Sequence, residues 1–285
     1  MRRALRREIA GIIGLLTDEH GFRAMRRYRS FTFDDYEPYL QEVEALLRSR
    51  ADQGSYTTVA LFDPEEYADF CAETGLNPDT PASHTRFTAE LAATGPTLPY
   101  KGQPLAELVP DLIDEAARQA TQEYASEVLS RIGPCAICGE DIGAAAFARA
   151  SELLLRTFST ADLGDHHLVC RVVAAPETLV AVLRTEGDSQ LDETEAPELT
   201  KVLACGIATH NAGSLIMRTS APGTSDRVYG WRLRGDGLQP LTAAEVFDAH
   251  SSDIQAGRIV ASGSNVDYCE PSDLGEAGRP GGHTH

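Results

Sequence analysis

The sequence predicts an α+β protein, on three observations. β-Branched runs in the N-terminal third lead straight into capped helices, and two long helical stripes fill the middle. The C-terminal half then changes to strand-length alternating segments divided by tight turns. The expected arrangement is an N-terminal α/β portion over 1–94, then a central helical hairpin and a C-terminal antiparallel sheet packed on helices over 105–261. "TGPTLPYKGQP" (Thr94–Pro104), with three Pro and two Gly, is the expected linker. Residues 262–285, rich in Gly, Pro, Ser and acid, are expected to be a disordered tail carrying solvated His283 and His285.

Element by element, Leu5, Ile9, Ile12 and Leu16 fall on one helical face and predict a basic amphipathic first helix. "MRRYRSFTF" predicts a strand. Tyr36, Tyr39, Leu40, Val43, Leu46 and Leu47 form a helical stripe. "SYTTVALF" is a strand running into a helix with Asp63 as N-cap, Pro64 in its first turn, Glu66 at the reciprocal capping position and Gly75 as its stop. Cys71, on the face of Tyr67 and Phe70, is expected to pack as a small hydrophobe.

Pro110 is expected to open a long helix with its stripe through Leu112, Ile113, Ala116, Ala120, Tyr124, Val128 and Ile132, closed by Gly133. Ile142, Phe147, Ala150, Leu154 and Phe158 mark the next helix. "HLVCRVVAAPETLVAVLRT" predicts a hairpin turning at Ala175-Pro176-Glu177. An acidic loop (Glu186, Asp188, Asp192, Glu193, Glu195) precedes a helix over 197–209, where His210 and Asn211 suit a helix end. "SLIMRT" and "RVYGWRLR" are strands, Gly235-Asp236-Gly237 is a turn, and Thr242 with Glu245 forms a capping box for a last helix.

Charge bounds the partners. The formal net charge is -18 over 285 residues, yet residues 1–30 carry eight arginines against three acids, +5, which leaves −23 on the rest. Such an acidic body repels phosphate backbones and anionic lipid, so general nucleic-acid binding is not expected. No run is long and apolar enough to span a membrane. The start imitates a signal peptide without its cleavage pattern, so the cytoplasm is the expected compartment and the six cysteines are expected reduced. Only two lysines stand beside 23 arginines, the mark of a GC-rich genome, and a bacterial source is the expectation.

Among chemical motifs, "RIGPCAICGED" (Arg131–Asp141) stands out. Cys135 and Cys138 make a C-x-x-C half-site for zinc, because a two-residue spacer lets both thiolates face one ion. Zinc wants four ligands, and no second C-x-x-C exists. His166 and His167 cannot complete the set. A straight helix of about 19 residues carries the chain roughly 28 Å away, and seven extended residues return about 24 Å at most. Cys205 or Cys269 can still supply ligands through the fold, and two such turns can share one ion. A thiol-redox pair is the alternative, although a helix rather than a strand leads into it.

A second constellation is an arginine set on the proposed strands: Arg171, Arg184, Arg218, Arg232 and Arg234. Arg218, Arg232 and Arg234 are the candidate anion-binding residues, since guanidinium forks suit phosphate or carboxylate. Ordinary cross-strand pairing with surface acids is the competing explanation. Dinucleotide, P-loop, nucleophile-elbow and metalloprotease motifs are absent, and Asp165-His166-His167 lacks a nucleophile at a recognisable spacing. The leading functional expectation is a non-enzymatic interaction or regulatory protein with a protein partner or self-association. The alternatives are a zinc or thiol-redox protein, and an enzyme or binder of an anionic small molecule.

Overall fold

A computed structural model describes residues 11–175, 177–187, 193–255 and 265–274. The chain is α+β and divides into two compact units, residues 1–119 and 120–285.

In the first unit, β1 (Ile12–Leu15), β2 (Thr58–Leu61) and β3 (Thr97–Pro99) make a small sheet in that order. β1 runs parallel to β2, and β3 antiparallel to it. The helices are α1 (Glu19–Met25), α2 (Tyr36–Asp52), α3 (Pro64–Thr74) and α4 (Pro81–Thr94). The expected amphipathic helix gives way to β1 at Ile12, while Leu5 and Ile9 lie outside the described residues. A continuous apolar run suits a strand covered on both faces. Ile13 and Leu15 are fully buried, and Ile13 pairs with Val59.

"MRRYRSFTF" is not a strand. It is the end of α1 followed by turns, with Tyr28 N–H donating to the Met25 carbonyl and Phe31 N–H to that of Tyr28. Its aromatic alternation serves side-chain clustering instead. Phe22 and Phe31 meet edge to face at 5.4 Å, and Phe33 and Tyr39 at 5.1 Å. Helix α2 buries Tyr39, Val43 and Leu47, three of the six stripe residues. At α3, Asp63 Oδ1 accepts from the amides of Glu65 (2.7 Å) and Glu66 (3.3 Å), and Gly75 ends the helix at φ 66°. Helix α4 was not expected. Its signals are Thr80 as cap, Pro81 behind it, and Phe87 and Leu91 one turn apart.

The expected linker carries β3, whose Leu98 pairs with Val59. Helix α5 (Leu105–Ile132) starts five residues before Pro110, so Pro110 lies inside it. A proline there costs one backbone hydrogen bond. Burial holds the extra turn, because Leu105 and Leu108 sit in the same core as Leu112. That burial also carries the first unit to residue 119, past the expected boundary at 94.

In the second unit, β4 (Asp165–Ala174), β5 (Glu177–Thr185), β6 (Gly213–Ser220), β7 (Asp226–Arg234) and β8 (Gly237–Pro240) form an antiparallel sheet ordered β5-β4-β6-β7-β8. β9 (Val266–Tyr268) adds parallel to β7. Pro176, Asp188 and Asp192 lie outside the described residues. One sheet face packs on α6 (Ile142–Ser159) and α7 (Glu195–Thr209) through Leu168, Cys170, Leu183, Met217, Trp231 and Leu233, against Leu153, Leu154 and Leu203. The alternation along β7 is as expected, aromatics inward and Arg232 with Arg234 outward.

The tail expectation is corrected over 265–274. Besides β9, Leu274 is buried and its carbonyl accepts from Arg156 Nη1 at 3.0 Å. Apolar Val266, Tyr268 and Leu274 supply burial that the polar composition around them hides. The remaining tail, with His283 and His285, lies outside the described residues. No helix among the described residues is long and apolar enough to cross a membrane.

Candidate functional site

The outer face of the second sheet is not an open arginine surface. Helix α8 (Ala243–Gln255), capped by the expected box in which Thr242 N–H donates to Glu245 Oε2 at 3.0 Å, lies on it. Val246 joins Ile216, Val228 and Leu241 in a small second core. Gly230 permits the approach, since a Cβ there would stand 2.8 Å from Ile216 Cδ1 and 3.1 Å from Val246 Cγ2.

Register then assembles a polar cluster beside that core. His167 of β4 pairs with Arg184 of β5 on one side and Arg218 of β6 on the other, so the three share a row on the outer face. Helix α8 contributes His250 and, one turn on, Asp253, both with no exposed surface. His250 Nδ1 lies 3.2 Å from the Tyr268 hydroxyl of β9. Asp253 Oδ1 meets Arg171 Nη1 at 3.1 Å, and Arg218 Nε donates to Asp226 Oδ2 at 2.8 Å.

The two imidazoles define the chemistry. Nε2 of His167 and Nε2 of His250 are buried without a hydrogen-bond partner among the described residues. Burial first, then the charges of Arg184, Arg218 and His250, push the His167 pKa down to about 4. Burial and Arg218 also lower His250, with Asp253 opposing. Both rings are therefore neutral near pH 7, and each offers one nitrogen as donor and one as acceptor. The His250 Nδ1 contact with the Tyr268 hydroxyl leaves Nε2 as the ring nitrogen without a partner among the described residues. The charges that add to burial in lowering His167 are cationic, and they favour an anionic oxygen beside that ring.

Of the expected anion-binding residues, only Arg218 belongs to this cluster. Arg232 lies on the same face, two residues past Gly230, and binds Glu245 at 2.8 Å. Arg234 is exposed near the β7–β8 turn. His250, Asp253 and Tyr268 went unseen in the sequence. The available signal was a polar His-x-x-Asp pair continuing the apolar side of α8 from Val246. Asp165 opens β4 and accepts from the Gly187 amide at 2.7 Å.

Cys135 and Cys138 occupy the turn between α5 and α6, the first half-buried and the second exposed. Among the described residues, no group of three or more His, Cys, Asp or Glu is placed to hold a metal ion. Cys71, Cys170 and Cys205 are buried, and burial pushes the Cys170 thiol up to about 12.

Comparison with known families reaches only the first unit. Residues 1–103 match the model of a domain of unknown function (DUF8829). No curated protein and no solved structure matches the chain. The DUF8829 match ends 64 residues before His167, so the imidazole cluster and the cysteine turn both lie outside it.

Proposed function

We propose that the protein is a non-enzymatic binding protein whose second unit holds a small anionic ligand between the sheet and α8. The supporting observation is the pair of buried Nε2 atoms on His167 and His250, beside Arg218 and Arg184. A buried polar atom without a partner is costly, of order 1–3 kcal/mol. A phosphate or carboxylate oxygen accepting from these rings removes that cost and finds compensating positive charge. Binding also favours the imidazolium form of His167, so the ligand arrives together with a proton as the pH falls.

Thermal unfolding of the full chain with millimolar inorganic phosphate, sulfate or citrate tests this at pH 6 and pH 7.5. The expected result is a midpoint raised by a few degrees, more at pH 6, and lost in His167→Gln but kept in Arg234→Ala. No shift with any of the three anions, or an equal shift in His167→Gln, overturns it. A buried water as the occupant gives the same null result.

A further inference from the structure

The turn between α5 and α6 is built rather than loose. Gly133 leaves α5 at φ 72°, Pro134 bridges to Asp141, and Asp141 Oδ1 caps α6 by accepting from the Ala144 amide at 2.8 Å. Inside this frame Cys135 N–H donates to the Glu140 carbonyl and Gly139 N–H to the Cys135 carbonyl, both at 2.8 Å. Gly139 follows at φ 76°, a conformation other residues adopt at a cost. A short hairpin thus carries the two cysteines at its tip.

Packing does not explain their position. Cys71, Cys170 and Cys205 bury as small hydrophobes, whereas Cys138 is exposed and the intervening Ile137 is 76% exposed. Two thiolates at this spacing make half of a tetrahedral zinc site. The described residues bring no group of three ligands together, so among them this half stays half.

We propose that two copies of this chain meet at these tips and share one zinc ion, bound by Cys135 and Cys138 of each. Four thiols release their protons to solvent as they coordinate, and the exposed Ile137 side chains add apolar contact around the ion.

The test uses the full chain, kept reduced with a phosphine, given zinc chloride alone and passed through gel filtration at neutral pH. Elemental analysis and light scattering then read zinc content and mass. The expected result is about 0.5 zinc per chain in a particle of twice the chain mass, as four ligands from two chains require. Excess EDTA returns the single-chain mass. Cys138→Ser loses both zinc and dimer while keeping the thermal midpoint of the metal-free parent, and Cys135→Ser does the same. One zinc per chain at single-chain mass overturns the proposal, because the chain then completes its own site. So do no retained zinc, a dimer that survives EDTA, or a Cys138→Ser protein that still dimerises with zinc.

Discussion

Arg171 of β4 reaches across the outer face of the second sheet to hold Asp253 of α8 at 3.1 Å, and that carboxylate has no exposed surface. This pair and the Val246 core are two separate anchors for α8, one ionic and one apolar. Removing the cation takes an ionic partner from a buried carboxylate. Arg171→Leu is expected to destabilise the second unit by about 2–3 kcal/mol, less than a fully enclosed pair because Arg171 keeps some solvent contact. Denaturant unfolding measures it, and a loss below about 0.5 kcal/mol would contradict it.

Stability depends on pH through the histidines. His167, His250, His166 and His84 all have folded pKa values below the ordinary 6.5, mainly through burial. The folded chain therefore binds fewer protons than the unfolded chain as the solution acidifies. Their stabilising contribution is complete above about pH 6.5 and declines as pH falls toward 4, the value His167 reaches. Urea midpoints at pH 7.5 and pH 5 should differ, with the lower at pH 5. His167→Gln should reduce the difference.

Gly230 is a spacing device. Gly230→Val is expected to force Ile216 and Val246 apart and to cost about 1–3 kcal/mol, the range of overpacked cores. Gly235→Ala, at an open turn with φ 57°, should cost less, because it strains the backbone without meeting a neighbour. Comparing their thermal midpoints checks the order.

The last described residues matter to the fold. Leu274→Ala is expected to cost about 2 kcal/mol, as loss of a buried leucine does. Ending the chain at residue 264 removes β9 and Tyr268 as well, and should cost more. Equal thermal midpoints for the shortened and full chains would contradict this.

Legibility followed physical cause. Capping chemistry is local, so α3 and α8 could be read from Asp63, Pro64, Gly75, Thr242 and Glu245 alone. The hairpin of β4 and β5 was legible from alternation across a turn. The run Ile12–Leu15 misled because strand and helix share the same apolar residues, and only its pairing with β2 decides between them. The arginines were assigned the correct face but the wrong surroundings. Their register with His167, and the arrival of α8 over them, are long-range facts that no local spacing encodes. His250 and Asp253 became visible only with that helix in place.

The chain has a single tryptophan, Trp231, which is 1% exposed in the second unit and donates from Nε1 to the Ser272 carbonyl at 3.4 Å. Intrinsic fluorescence excited at its absorption edge therefore reports on one unit alone, with the first visible only through tyrosine. A red shift in that emission is an optical address for loosening of the segment beyond β9, obtained without attaching a dye.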